Sequence, residues 1–284
     1  MNTTVPRVLI IAGSDSSGGA GLQADLKTAQ AFGVYAQTAV TAVTVQDTTG
    51  VKAVYPLPPQ IVAAQISAAL QDIGADAVKI GMLGNGAIAR AVADALEGID
   101  IPLVLDTVLL SSSGAALLDE EGIGILKKRL MPRATLVTPN FPEAEVLTGI
   151  YPKSEHRLRN AAMVLKMLGT DNVLFKGGHG EGDILCDVLW SGGEFIPFEA
   201  PRQDTPHTHG TGCTLATAIA CGLAQKMPLK DAVARAHAYV QEAIRTAPGL
   251  GSGSGPLNHA IKSSSFDKLR MRTLFTDPQK DPAP

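Results

Sequence analysis

The chain has 284 residues, enough for one large α/β domain or two small ones, and its 45% hydrophobic content allows a sizeable core. Its 24 basic and 27 acidic residues leave a formal charge of −3 with no basic run, which argues against a nucleic-acid partner. Cys186, Cys213 and Cys221 show no disulfide or metal-ligand spacing, and no apolar run reaches the ~20 residues of a bilayer span; with no secretory pattern at the N-terminus, a cytoplasmic protein without a membrane partner is expected.

Short β-branched runs alternate with Ala- and Leu-rich stretches at helical spacing. The pattern predicts a strand over Val8–Ala12, a helix over Leu22–Phe32 and a strand over Ala36–Val45. Pro58 opens a helix with apolar positions at Ile61, Ala64, Ile66 and Leu70. A strand over Ala77–Ile80, a helix over Ala87–Leu96 and a strand over Leu103–Asp106 follow. Next come a helix near Glu120–Leu130, a strand over Leu136–Thr138, and helices near Glu143–Thr148 and Glu155–Leu168. After a strand over Val173–Lys176, Asp183–Leu189 and Glu194–Phe198 flank Ser191-Gly192-Gly193 and read as a β-hairpin. Helices over Thr214–Ala224 and Leu229–Thr246 complete the alternation. The pattern implies a mostly parallel sheet covered by helices on both faces. Gly249 to Gly255 is Gly/Ser-rich, and residues 263–284 are polar with Pro278, Pro282 and Pro284. A single domain over 1–262 with a mobile tail over 263–284 is expected.

In such sheets ligands bind beyond the carboxyl ends of the strands. There the chain places Gly13, Asp15, Gln46, Asp47, Gly81, Met82, Asp106, Asn140 and Lys176. The loop Gly13-Ser14-Asp15-Ser16-Ser17-Gly18-Gly19-Ala20-Gly21 has neither the dinucleotide spacing nor the Gly-Lys-Ser/Thr of a P-loop, which makes a nicotinamide-dependent oxidoreductase a poor reading. It is either a tight turn or a place where a ligand ring approaches the backbone. Asp25 reads, taken alone, as a surface acid. Gln46 offers a donor and an acceptor, which suits a heterocycle with an amine beside a ring nitrogen; Thr44 to Gly50 reads equally as a polar turn. Met82 either packs on a flat ring or joins the core. Asn140 and Glu143 form a helix-capping box, hold a hydrated Mg²⁺ beside phosphates, or do both. Lys176 reaches either a phosphate oxygen or solvent. His207 and His209 have no accompanying ligand cluster, and His209 reads as a support for the glycine loop that follows.

That loop, Thr208-His209-Gly210-Thr211-Gly212-Cys213-Thr214, carries most of the chemistry. Its glycines let successive N–H groups point at one anion, and the next helix adds its unpaired amides and positive dipole end. Cys213 stands in that pocket, where a helix N-terminus favours the thiolate. An anion site containing a proton acceptor points to phosphoryl transfer to a hydroxyl group.

Several motifs occur together and in order: Ala12-Gly-Ser-Asp-Ser-Ser-Gly-Gly-Ala-Gly-Leu-Gln-Ala-Asp25, Val45-Gln-Asp-Thr-Thr-Gly-Val51, Lys79-Ile-Gly-Met-Leu83, Val104-Leu-Asp-Thr107, Thr138-Pro-Asn-Phe-Pro-Glu-Ala144, Lys176-Gly-Gly-His179 and the cysteine loop. On these, the chain from Val8 to about His259 resembles the hydroxymethylpyrimidine/phosphomethylpyrimidine kinases of thiamine biosynthesis, a branch of the ribokinase-like superfamily. Most ribokinase-like sugar kinases carry Asp where Cys213 stands.

The resemblance implies a three-layer α/β/α sandwich with a mostly parallel central sheet, ATP and Mg²⁺, and a homodimer. It implies phosphorylation of 4-amino-5-hydroxymethyl-2-methylpyrimidine and then of its monophosphate. Carried over, Gln46 reads the aminopyrimidine edge with help from the Thr44 backbone, and Gly13, Asp25 and Met82 line the ring pocket. Gly210, Thr211, Gly212 and Cys213 form the anion hole, with Cys213 taking the hydroxyl proton. Asn140, Glu143, Lys176 and Asp106 serve ATP and its metal, Glu143 through water. Asp204-Thr-Pro-His207 and the tail beyond Lys262 are less typical of the family. The rival readings are a pyridoxal or pyridoxine kinase of the same branch and a non-catalytic pyrimidine-binding regulator.

Overall fold

The computed structural model describes residues 5–110, 116–177 and 182–261. The expected tail over 263–284 lies outside the described residues, as does the end of the Lys176-Gly-Gly-His motif. In chain order the elements are β1 (Arg7–Asp15), α1 (Gly21–Ala31), β2 (Tyr35–Asp47), β3 (Gly50–Pro56), α2 (Pro59–Gln71), β4 (Ala77–Ile80), α3 (Gly86–Ala95), β5 (Leu103–Leu105), α4 (Glu120–Ile125), β6 (Leu136–Val137), α5 (Phe141–Thr148), α6 (Glu155–Met167), β7 (Asn172–Phe175), β8 (Ile184–Ser191), β9 (Glu194–Pro201), α7 (Thr211–Ala224) and α8 (Leu229–Arg245).

The strands form one nine-stranded sheet in the order β3-β2-β1-β4-β5-β6-β7-β8-β9. From β2 to β7 all neighbours pair parallel, while β3, β8 and β9 pair antiparallel. Successive strand side chains alternate between faces, so each central strand feeds two cores. Leu9 and Ile11 of β1 join one core with α2, α3, α5 and α6; Val8, Ile10 and Ala12 join the other with α1, α7 and α8. The expected α/β/α layering follows from this double burial.

Several elements depart from the sequence reading. The expected turn closes at Thr48-Thr49 between Asp47 and Gly50, but the strand after it, β3, was not expected: Val51 to Tyr55 pair back onto β2 at the sheet edge. The apolar face of α2 is rotated: Ile61 is 48% exposed, whereas Val62 and Ile66 are buried. Beyond Ile125 the chain passes through a π-helical turn over Leu126–Leu130 and a 3₁₀ turn over Met131–Arg133, not one continuous α-helix. α7 starts at Thr211, ahead of the predicted Thr214. Its first turn is rich in glycine and threonine, poor helix formers whose propensity is overridden by burial of every residue from Thr214 to Ala224.

Lys79 interrupts the apolar pattern of β4. By alternation it shares a face with Ala77, toward α1 and α7, and it is fully buried. Its Nζ lies 2.8 Å from Asp25 Oδ2 on α1, and the Thr217 hydroxyl of α7 donates to Asp25 Oδ1 at 2.7 Å. Asp25 is therefore not the surface acid of the sequence reading: it has no exposure at all. Burial pulls the Lys79 ammonium toward neutrality, but Asp25, Cys213 and Asp106 together outweigh this and leave its pKa above the ordinary value. Burial likewise raises the Asp25 carboxyl, with Lys79 and Thr217 pulling it back; at 2.8 Å we read the two as an ion pair.

Removing one partner strands the other charge in the core. Lys79→Met is expected to cost about 3–5 kcal/mol in urea unfolding, with much of the loss recovered in the Asp25→Asn/Lys79→Met double variant. A single-variant loss below about 1 kcal/mol would show that the pair is not an uncompensated burden when broken.

Candidate functional site

The carboxyl ends of the parallel strands and the N-terminus of α7 enclose a cavity of about 560 Å³. Gly13, Thr44, Gln46 and Met82 line one end. Asp106, Asn140, Glu143 and Lys176 line the other, with Gly210, Gly212 and Cys213 also in the lining. Asp25 and Thr211, both expected in the site, are not among the lining residues. Asp25 lies beneath it in the ion pair with Lys79.

The start of α7 is built by glycine. Gly210, the N-cap, has φ 82°, and a Cβ there would fall 1.9 Å from the Gly19 carbonyl oxygen. Only glycine permits that conformation and that contact, which docks the two glycine loops together. No side chain caps the helix. Thr211 donates its amide to Thr208 O at 3.3 Å and its hydroxyl to the same oxygen at 2.7 Å, so it is not free to hold an anion. Thr214 donates to Gly210 O at 2.9 Å. The amides between, of Gly212 and Cys213, are first-turn donors without an intrahelical acceptor, and the helix dipole adds to them. A Cβ on Gly212 would lie 3.3 Å from Lys176 Nζ, so the bare backbone lets that ammonium approach the cradle.

Cys213 departs from the sequence argument. Burial pushes its thiol up to about 11; Lys79 opposes the rise, Asp25 and Asp106 add to it, and the Gly21 amide opposes it. Burial is the largest of these influences, and it works against the thiolate that the helix N-terminus would favour.

At the other end, Lys176 Nζ lies 2.7 Å from Asp106 Oδ1 and 3.8 Å from Glu143 Oε2. Burial draws Lys176 down, but Asp106 and Glu143 outweigh it and keep the ammonium charged. Burial raises Asp106, yet Lys176 and Lys79 leave it below the ordinary range. Burial dominates at Glu143 and leaves it raised, against the pull of Lys176. Asn140 and Glu143 form the expected capping box: each backbone N–H donates to the other side chain at 2.8 Å. Thr107 also donates to Glu143 Oε2, at 3.1 Å, and Thr138 to Asp106 Oδ1, at 3.0 Å. The Asn140 and Thr107 bonds to Glu143 both fall on Oε2. Among the described residues no group of three His, Cys, Asp or Glu could hold a metal. The Glu143 carboxylate and the Asn140 amide beside it are oxygen ligands of the kind that suit a cation keeping most of its own waters, as Mg²⁺ does.

At the ring end, a Cβ on Gly13 would lie 3.3 Å from Met82 Sδ, and Thr41 donates to the Met82 carbonyl at 2.7 Å, so Met82 is held as pocket wall. The Gln46 amide lies between Thr44 and His209. Gly253 and Ser254 also line the cavity. The Gly/Ser-rich segment that holds them is packed, with Gly253 N donating to Thr48 Oγ1 at 3.2 Å and His209 N to Gly255 O at 3.1 Å. Composition alone gave no sign of this role.

A phosphomethylpyrimidine kinase family model matches residues 15–258. The chain is 46% identical over 256 residues to the hydroxymethylpyrimidine/phosphomethylpyrimidine kinase of Streptomyces coelicolor, covering 90% of this chain and 95% of that protein. It is 48% identical over 255 residues to the thiamine biosynthesis bifunctional protein ThiED of Geobacter sulfurreducens, covering 89% of this chain and 52% of that longer protein. Among solved structures, an ADP complex of Bacillus subtilis pyridoxal kinase superposes with a TM-score of 0.83 at 34% identity, covering 90% of this chain and 98% of that one.

The acid strength of Cys213 is open to a direct check. In a Cys186→Ser/Cys221→Ser background, iodoacetamide should alkylate Cys213 slowly at pH 7, and about tenfold faster per pH unit up to about pH 10. A rate that levels off below pH 9 would show a thiolate favoured by the helix N-terminus after all.

Proposed function

The chain belongs to the phosphomethylpyrimidine kinase family, and we propose that it performs that family's two phosphorylations in the cavity above α7. It is an ATP-dependent kinase of thiamine biosynthesis with a ribokinase-like fold. The observation that carries the reading is the uncapped N-terminus of α7, opening with Cys213 into the same cavity as Gln46 and Lys176.

In this reading Gln46 meets the ring nitrogen and 4-amino group of the pyrimidine, beside the Thr44 backbone, and Gly13 and Met82 border the ring. The hydroxymethyl group then points toward Cys213. The Gly212 and Cys213 amides and Lys176 receive the charge spread over the oxygens of the transferring phosphoryl group, which is where this reaction needs help. Mg²⁺, when bound through water at Glu143 near Asn140 and Asp106, supplies further neutralisation of phosphate charge. A bond forms from the hydroxyl oxygen to phosphorus, the bond to the ADP oxygen breaks, and the hydroxyl proton passes to the Cys213 sulfur. The acceptor in that step is the thiolate form of Cys213, which becomes the thiol as the proton arrives, so turnover should rise with pH as the thiolate fraction grows.

The likeness to a pyridoxal kinase supports a second ring as a side substrate. The Gln46 amide favours the aminopyrimidine, and competition between the two alcohols for one ATP pool tests the preference. For the assembly, Val43, Val45 and Tyr55 are 44%, 47% and 61% exposed, and Val43 pairs with Tyr55 across β2 and β3. This apolar sheet face supports a homodimer. Cys186, Cys213 and Cys221 are all free, which supports a cytoplasmic setting.

Cys213→Ala should lower kcat by about 10²–10⁴ while leaving the pyrimidine KM within a few-fold. Gln46→Ala should raise KM first. Steady-state kinetics on the alcohol separates the two, and near-normal turnover of Cys213→Ala would remove the proton-acceptor role.

A further inference from the structure

The first turn of α7 cannot be capped by its own neighbourhood. A side chain at an N-cap accepts from the amides two and three residues further on. With Gly210 at the N-cap, those are the amides of Gly212 and Cys213, which the proposed site keeps for the transferring phosphoryl group. A local cap would fill the cradle. Glycine at 210 and 212 also gives this turn little stiffness of its own.

The restraint comes from much further along the chain. Thr214, next to Cys213, is buried, and its hydroxyl lies 2.9 Å from Nε2 of His259, also buried. Burial draws the His259 ring down to about 4; Lys27 adds to the fall and a hydrogen bond with the Leu257 backbone opposes it, so the ring is neutral at pH 7. A hydroxyl both gives and accepts, so it pairs with Nε2 in either tautomer of a neutral ring. His259 is itself fixed to α8. The buried Tyr239 hydroxyl donates to His259 O at 3.3 Å, and the Asn258 amide donates to Ala243 O at 3.0 Å. At the other end of this segment, Gly255 O accepts from His209 N at 3.1 Å. Residues 255–259 therefore hold the glycine loop on both sides of Gly210 to Cys213. One turn into α7, Thr217 is tied to Asp25. That tie alone leaves the turn before it free to fray, and the bond at Thr214 removes this freedom.

We propose that His259, acting through Thr214, is a positioning residue for phosphoryl transfer, which holds the first turn of α7 so that the Gly212 and Cys213 amides and the Cys213 sulfur converge on the reacting group. The inference rests on the reading of that turn as the anion cradle. A shift of the turn by about 1 Å costs up to about 10² in rate. Ring contacts at Gln46, on other elements, are left in place.

The test separates positioning from stability. Thr214→Val and His259→Leu each leave one buried side of the bond without its partner, and the double variant removes both sides. The urea midpoint should fall in each single variant, and the double variant should fall no further than the worse single. By contrast kcat should drop at least about tenfold in all three, with KM for the pyrimidine within about threefold. Thr214→Ser, which keeps the hydroxyl, should retain most of the wild-type kcat. A near-normal kcat in the double variant would show a packing role only and overturn the inference, as would Thr214→Ser falling as low as Thr214→Val. Cys213→Ala, measured alongside, distinguishes this failure from failure of the site. Near-normal turnover there would remove the reading of the cradle and this inference with it.

Discussion

A lysine and a carboxylate without solvent exposure underpin the site. Lys79 comes from β4, Asp25 from α1, and Thr217, which completes the cluster, from α7. Thr217 lies one helical turn beyond Cys213, so the anchored face of α7 is the face that bears the cysteine. The pair is costly to bury and more costly to break, which ties the three elements together more strictly than apolar packing alone. It also sets the local field: Lys79 draws both Cys213 and Asp106 toward their charged forms. Cys213 stays protonated at rest because desolvation outweighs that pull.

Above this foundation the working surface is made largely of backbone. Gly210 meets the Gly19 carbonyl where it could carry no side chain, and a Cβ on Gly21 would fall 2.3 Å from the Gly13 carbonyl oxygen. Gly212 leaves room for Lys176. Amides fixed by a helix need no reorganisation as charge develops on a phosphoryl group, which is the economy such catalysis uses. The polar side chains sort into one end around Gln46 and another around Glu143 and Lys176, both open to one cavity.

What the sequence reveals follows from how local each signal is. The strands β1, β4 and β5 are short β-branched runs buried on both faces, and that pattern is legible without a partner. The Asn140–Glu143 box is equally local. β3 was hidden because its half-exposed residues gain order only by pairing with β2. The first turn of α7 was hidden because its glycine and threonine residues look like a loop. Asp25 read as a surface acid because its partner is 54 residues away on another element. At Cys213 the helix N-terminus is visible in sequence, whereas the burial that pushes its thiol up is a property of the whole fold. Asp15 and His209 stood in view as loop residues, but their contact with each other required the two glycine loops to be docked.

The central claim is that the α7 amides cradle the transferring group while the Cys213 sulfur faces the attacking alcohol. A crystal structure with ADP, aluminium fluoride and the aminopyrimidine alcohol tests it most directly. The account predicts fluorines about 2.7–3.1 Å from the Gly212 and Cys213 amides, with the alcohol oxygen in hydrogen-bond contact with Sγ. Fluorines held only by side chains, with the sulfur turned away from the alcohol, would contradict it.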